Sequence, residues 1–141
     1  MTSICFYSNA TDRLRAAAAW LAVAWRERKP VLVFVPEREE AERLDRLLWT
    51  QGATSFLPHC RAGTPLAGET PILIADNLDQ LPQDRCLLNL SNEIPPGFSR
   101  FEEVVEIVST DDHVRLPARD RFRFYRERGY PLDNRNITDG F

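Results

Sequence analysis

VLVFV (residues 31–35), followed at once by EREEAERLDRLLW (37–49), decides how this chain folds. A continuous β-branched and aromatic run lacks the polar alternation of a half-exposed strand, so it suits a strand buried on both faces. In the segment behind it Ala41, Leu44, Leu47 and Leu48 recur at helical spacing, which gives a helix one apolar face to lay against that strand. Upstream, SICFY (3–7) reads as a short strand. Thr11 or Asp12 can then cap a helix running to about Arg28, before Pro30 ends it. The N-terminal part is therefore β-α-β-α.

Downstream, SFLPHC (55–60), ILIAD (72–76), CLLNLS (86–91) and VVEIVS (104–109) each read as a strand bounded by turn residues, with a glycine- and proline-containing loop over 62–71. A helix follows from about Asp111 to Arg128, stopped by Gly129 with Pro131 just beyond, and residues 129–141 read as a polar C-terminal tail. Helices between hydrophobic strands predict an α/β fold: a single domain over 1–141, with a mostly parallel sheet flanked by helices on both faces, Rossmann-like in outline.

Composition bounds the function. A chain of 141 residues, 43% hydrophobic and 28% charged, is ordinary for one soluble domain. Its 18 basic and 21 acidic residues give a net charge of −3, so no overall field drives it onto a DNA backbone. Cys5, Cys60 and Cys86 are scattered without the paired spacing of a zinc site or a disulfide framework, which fits a reducing cytoplasm. The most apolar helical run, AAAAWLAVAW (16–25), lies between arginines and is far shorter than the roughly 20 residues a bilayer requires. The opening residues MTSICFYSNATDR lack the basic-then-apolar order of a secretory signal, so the chain is expected to begin as mature protein.

A parallel sheet invites a nucleotide, but phosphate-cradling turns need glycine where backbone N–H groups approach the phosphates. None of Gly52, Gly63, Gly68, Gly97, Gly129 and Gly140 forms such a motif, and the first strand-to-helix turn reads Ser8-Asn9-Ala10-Thr11-Asp12. His59-Cys60 is the one tempting nucleophile pair, yet sequence neighbours on a strand point to opposite faces. Asp111 and Asp112 stand where a helix begins and complement its dipole. No catalytic residue, cofactor or metal is assigned. A small Rossmann-like enzyme, hydrolysing a nucleotide or using a thiol, stays as the alternative from another class.

The last helix is the informative segment. Residues 113–128 hold Arg115, Arg119, Arg121, Arg123, Arg126 and Arg128 against Asp120 and Glu127, six positive charges less two, or +4 in an acidic chain. At about 100° per residue, Arg115, Arg119, Arg123 and Arg126 share one sector, and Ala118, Phe122 and Tyr125 form the adjoining apolar one. A guanidinium ridge beside an aromatic edge suits an anionic and apolar ligand, such as an acidic peptide ending in a hydrophobic residue and a free carboxylate. A solvated basic face and a direct DNA-backbone contact are the competing readings. A second surface centres on Trp49, which lies off the apolar face of its helix, with Phe56, Leu57 and Pro58 soon after; it reads either as an exposed apolar patch or as core.

RLDRLLW (43–49), SFLPH (55–59), LAGE (66–69), FEEVVEIVS (101–109) and ARDRFRFYRERGYPLDN (118–134) together resemble the chi subunit of bacterial DNA polymerase III. The resemblance covers most of the chain from residue 43 onward, and Ala118–Gly129 is its most specific part. It implies a non-catalytic accessory protein of the clamp loader that pairs with the psi subunit and binds the acidic C-terminal tail of single-stranded-DNA-binding protein. DNA would then be engaged only indirectly. The family's tail-binding ridge maps onto Arg115, Arg119 and Arg123, with Phe122 and Val108 as apolar contacts. Its partner surface, for psi and a competing helicase, maps onto Trp49 and Phe56. Where the family pattern has lysines and a tyrosine along the ridge, this chain has arginines and Phe122, so the charge is kept and a phenolic hydrogen bond is not to be assumed.

Overall fold

The computed structural model describes residues 2–50, 59–61, 72–78 and 84–138. Their order is β1 (Ser3–Ala10), α1 (Arg13–Arg26), β2 (Val31–Phe34), α2 (Arg38–Thr50), β3 (His59–Arg61), β4 (Ile72–Ala75), β5 (Cys86–Asn89), β6 (Glu103–Ser109), α3 (Asp112–Glu127) and β7 (Leu132–Asn136), with a 3-10 turn at Phe98–Arg100. The seven strands form one sheet in the order β3-β4-β2-β5-β6-β1-β7, and every neighbouring pair is parallel. The expected mostly parallel α/β sheet is thus parallel throughout the described residues.

Alternation along the central strands divides the core in two. Val31, Val33 and Val35 join Ile72, Ile74, Leu88, Val105 and Ile107 beneath α1 and α2, where Leu14, Leu21, Leu44 and Leu48 are buried. Leu32 and Phe34 point the other way and join Phe6, Leu73, Leu87 and Val104 beneath α3, where Ala118 and Tyr125 are buried. This is why VLVFV is apolar at every position: each face of its strand has a helical layer to meet.

The helix ends follow their side chains. Asp12 caps α1 by accepting from the Arg15 N–H, and Asp111 caps α3 by accepting from the His113 N–H. At the other end of α3, Gly129 takes the left-handed conformation (φ 81°), the Gly129 N–H donates to the Arg126 carbonyl and the Tyr130 N–H to the Tyr125 carbonyl. That is the Schellman closure, and it turns the chain back toward the sheet.

Two segments differ from the sequence reading. β1 runs on to Ala10, so Ser8, Asn9 and Ala10 belong to a strand and not to the strand-to-helix turn. Within the tail beyond Arg128, Leu132–Asn136 pairs parallel with β1 and forms an edge of the sheet. Its exposed, polar sequence LDNRN carries no apolar alternation, so nothing local marked it as a strand. Of the strand expected over 55–60, His59 and Cys60 lie in β3; residues 55–58, including Phe56, and the loop over 62–71 lie outside the described residues.

Candidate functional site

The apolar seam of α3 seats it on the sheet, with Val114, Ala118, Phe122 and Tyr125 packed on the core beneath. Phe122 meets Phe6 edge-on, with ring centroids 5.2 Å apart. Beneath the helix lies a buried polar network. Arg121 grips the Glu106 carboxylate with two bonds of 3.1 Å, through Nε and Nη2. Tyr125 Oη donates to the same carboxylate at 3.2 Å, and Asn89 Nδ2 at 2.9 Å. Glu106 is 0% exposed and Arg121 2%, so the pair is fully withdrawn from water. Burial, with the Glu106 charge next in importance, pushes the Tyr125 hydroxyl well above its ordinary range.

This network corrects the reading of the arginine-rich helix. Arg121 is a core residue whose charge is matched by Glu106, and it adds nothing to the cationic surface. Helical spacing alone placed it outside the ridge sector; only its partner on β6, fifteen residues back in sequence, reveals that it is buried.

On the flank of α3, Arg115, Arg119, Arg123 and Arg126 line a groove of about 410 Å³. One side is α3, with Arg115, Ala118, Arg119, Phe122, Arg123 and Arg126; the other is made by strand residues Phe6, Ser8, Asn9, Val108 and Asn134. The sequence-derived set Arg115, Arg119, Phe122, Arg123 and Val108 therefore falls in one place. Arg115 is paired with Asp112, one turn back, and Arg123 lies 4.0 Å from Asp120. Arg119 and Arg126 have no ion-pair partner among the described residues. Asp112 is held below the usual carboxylate range by its hydrogen bond from Arg115. The groove sits at the carboxyl ends of β1 and β6, where open parallel sheets present their crevices. Guanidinium forks over a floor of Phe6, Phe122, Val108 and Ala118 can hold a carboxylate and an apolar group together.

Sequence reasoning did not assign Ser8, Asn9, Arg126 or Asn134 to the site. Arg126 was present in the ridge sector of the helical wheel, whereas Asn134 had no signal because its strand had none. Trp49, on the exposed side of α2, is 58% exposed, the most exposed large apolar side chain among the described residues. Its proposed companion Phe56 lies outside the described residues.

The other candidates resolve into local structure. His59 and Cys60 are successive residues of β3. Asp111 and Asp112 serve the start of α3, one as its cap and one as the partner of Arg115. Cys86 is buried, and burial pushes its thiol up to about 12. Among the described residues no cluster of His, Cys, Asp or Glu could hold a metal, and no helix is long and apolar enough to cross a membrane.

Comparison with known proteins gives the family. The family model described as DNA polymerase III chi subunit, HolC, matches residues 1–133. The DNA polymerase III subunit chi of Pseudomonas aeruginosa is 32% identical over 143 residues, covering 97% of this chain and 98% of its own length. The proteins of the same name from Escherichia coli and Haemophilus influenzae are 35% and 30% identical, over 79% and 92% of this chain and 77% and 91% of their own lengths. A match over nearly the whole chain, on an α/β sheet that bears the arginine groove, places this protein in the DNA polymerase III chi subunit family.

Proposed function

We propose that this chain is a non-catalytic accessory subunit of the DNA polymerase III clamp loader, acting in the cytoplasm, and that it works by holding two partners at once. One is the acidic C-terminal tail of single-stranded-DNA-binding protein, received in the groove by Arg115, Arg119 and Arg123, with Phe122 and Val108 taking its apolar end. The other is the psi subunit, received on the surface of Trp49 and Phe56, where a helicase would compete. DNA is engaged only through the coating protein. Occupying both surfaces raises the effective concentration of the polymerase near coated single strands, so tethering needs no chemical step.

The observation that carries this reading is the groove. It joins arginine side chains to an apolar floor, in a chain whose net charge of −3 disfavours the DNA backbone as ligand. Carboxylates and a hydrophobic terminus fit that combination. The test is fluorescence anisotropy with a labelled peptide of the cognate tail, set against Arg119→Ala and Arg123→Ala. Binding that both substitutions weaken by roughly tenfold, and that falls as salt rises, supports the role. Absence of binding at low salt by the folded protein overturns it, and so does binding indifferent to salt.

A further inference from the structure

β1 carries one residue too many. Tyr7 is paired with Ile107 and Ala10 with Ser109, so Ser8 and Asn9 together face the single residue Val108. That is a β-bulge, a feature that re-aims side chains and is common beside binding sites. Its effect can be read from the faces. Phe6 points to the α3 side and Tyr7 to the α1 side, and Ser8 returns to the α3 side in the groove. Regular alternation would then send Asn9 under α1. Asn9 instead lines the groove beside Ser8, and Ala10 resumes the α1 side. The bulge therefore puts two consecutive polar side chains into the site.

Asn9 holds a left-handed backbone, φ 69°, which a residue with a Cβ adopts at some cost and asparagine more readily than most. Its side-chain amide makes no hydrogen bond among the described residues and is exposed at the groove. Across the strand pairing, Asn134 accepts from the Ser8 hydroxyl at 3.0 Å, which occupies its oxygen and leaves its NH₂ group to donate. The strand side of the groove thus offers neutral carboxamides, while the α3 side offers guanidinium groups. A carboxamide has one acceptor and two donors, the complement of a peptide unit.

We infer that Asn9, turned into the groove by the bulge, is a recognition residue that hydrogen-bonds the main chain of an extended acidic peptide whose carboxylates face the arginines of α3. This rests on the peptide-binding reading above and adds to it how the peptide lies: charged side chains toward the helix, backbone toward β1.

Asn9→Gly tests it, because glycine keeps the left-handed bulge and removes only the amide. The probe is the labelled tail peptide, titrated over a range of salt into wild type, Asn9→Gly and Arg119→Ala, with the melting temperature of each recorded. The expected result is that Asn9→Gly binds at least about fivefold more weakly, melts no lower than wild type, and keeps the wild-type salt slope, since the lost contact is uncharged. Arg119→Ala should flatten that slope. If Asn9→Gly binds like wild type while Arg119→Ala does not, Asn9 serves only the backbone of the bulge and the inference is overturned, with the groove reading intact. If Asn9→Gly changes the salt slope as Arg119→Ala does, the contact is not with a neutral main chain and the inference also fails. If wild type does not bind, the groove reading falls and takes this one with it.

Discussion

The side-chain amide of Asn92 donates to the main-chain carbonyl of His113 at 3.2 Å. This carbonyl is the one that Pro117 abandons, for proline lacks the N–H that would close the helical bond four residues back. A proline in the second turn of α3 is tolerated because a side chain from the loop after β5 fills its place. Asn92 is itself held: its Oδ1 accepts from Arg13 Nη1 at 3.0 Å, while Arg13 Nε donates to the Ile107 carbonyl and Nη2 to the Ser91 carbonyl. The start of α3, where Arg115 enters the groove, is so tied to α1 and to the ends of β5 and β6.

Asn92→Ala removes the donor to His113 and the acceptor for Arg13 together, and is expected to lower stability by about 1 kcal/mol. Asn92→Asp keeps the acceptor and should lose less. Urea denaturation of the two variants measures both. Equal stability of Asn92→Ala and wild type would show that the proline needs no substitute partner.

The Glu106–Arg121 pair makes a stronger demand on stability. With one partner removed, the other is left as a buried charge without its counter-ion, so Arg121→Met is expected to cost about 3–5 kcal/mol. Replacing both with apolar residues removes the stranded charge as well. The double variant Glu106→Leu/Arg121→Met should therefore be more stable than Arg121→Met alone, although Tyr125 and Asn89 lose their acceptor. Denaturation curves for the single and double variants decide this, and additive losses would mean the two charges are not coupled.

How far these features could be read in advance follows from where their partners lie. β2 and α2 were legible because their burial is written in consecutive residues, a fully apolar strand and a helix apolar on one face. The ridge of Arg115, Arg119 and Arg123 was legible for the same reason, since helical spacing is local. β7 was not, because it is an exposed edge whose pairing with β1 is set by chain reversal at Gly129 and not by its own side chains. Neither was Asn9: its direction depends on a register shift between β1 and β6, a relation across nearly a hundred residues. Helical spacing sets Arg121 apart from Arg123, but only the partners across the sheet show that the first is buried opposite Glu106 and the second opens on the groove.

Cys86 links burial to alkaline stability. Its thiol is raised from 9.0 to about 12, chiefly by desolvation, so in the folded protein it stays protonated where the unfolded chain has begun to ionise. Above pH 9 the folded state binds more protons than the unfolded one, so stability must fall as pH rises. Between pH 9 and 10 this loss should reach about 1 kcal/mol. At higher pH other groups join in, Tyr7 in the same sense with its hydroxyl pushed up to about 12 by burial, and Arg13 in the opposite sense with its guanidinium pushed down to about 10 by burial. Denaturant midpoints of wild type and Cys86→Ala across pH 8–10 isolate the thiol. The variant should show a flatter dependence, and parallel curves would assign the loss elsewhere.

Asp112 sets a negative charge beside Arg115, which lines the groove. Its carboxylate pairs with Arg115 across one turn of α3, so on the proposed function an incoming acidic peptide would compete with a charge that the protein already supplies. Asp112→Asn removes that competitor and one unit of repulsion. Tail-peptide affinity is then expected to rise roughly two- to fivefold at low salt, with the advantage shrinking as salt screens the exposed charges. The helix itself should weaken slightly, because Asp112 also lies in its first turn, where negative charge is favourable. Higher affinity in a slightly less stable protein is a combination that general loosening of α3 would not produce. An unchanged or weaker affinity in anisotropy titrations would show that Arg115 already points to its ligand while paired.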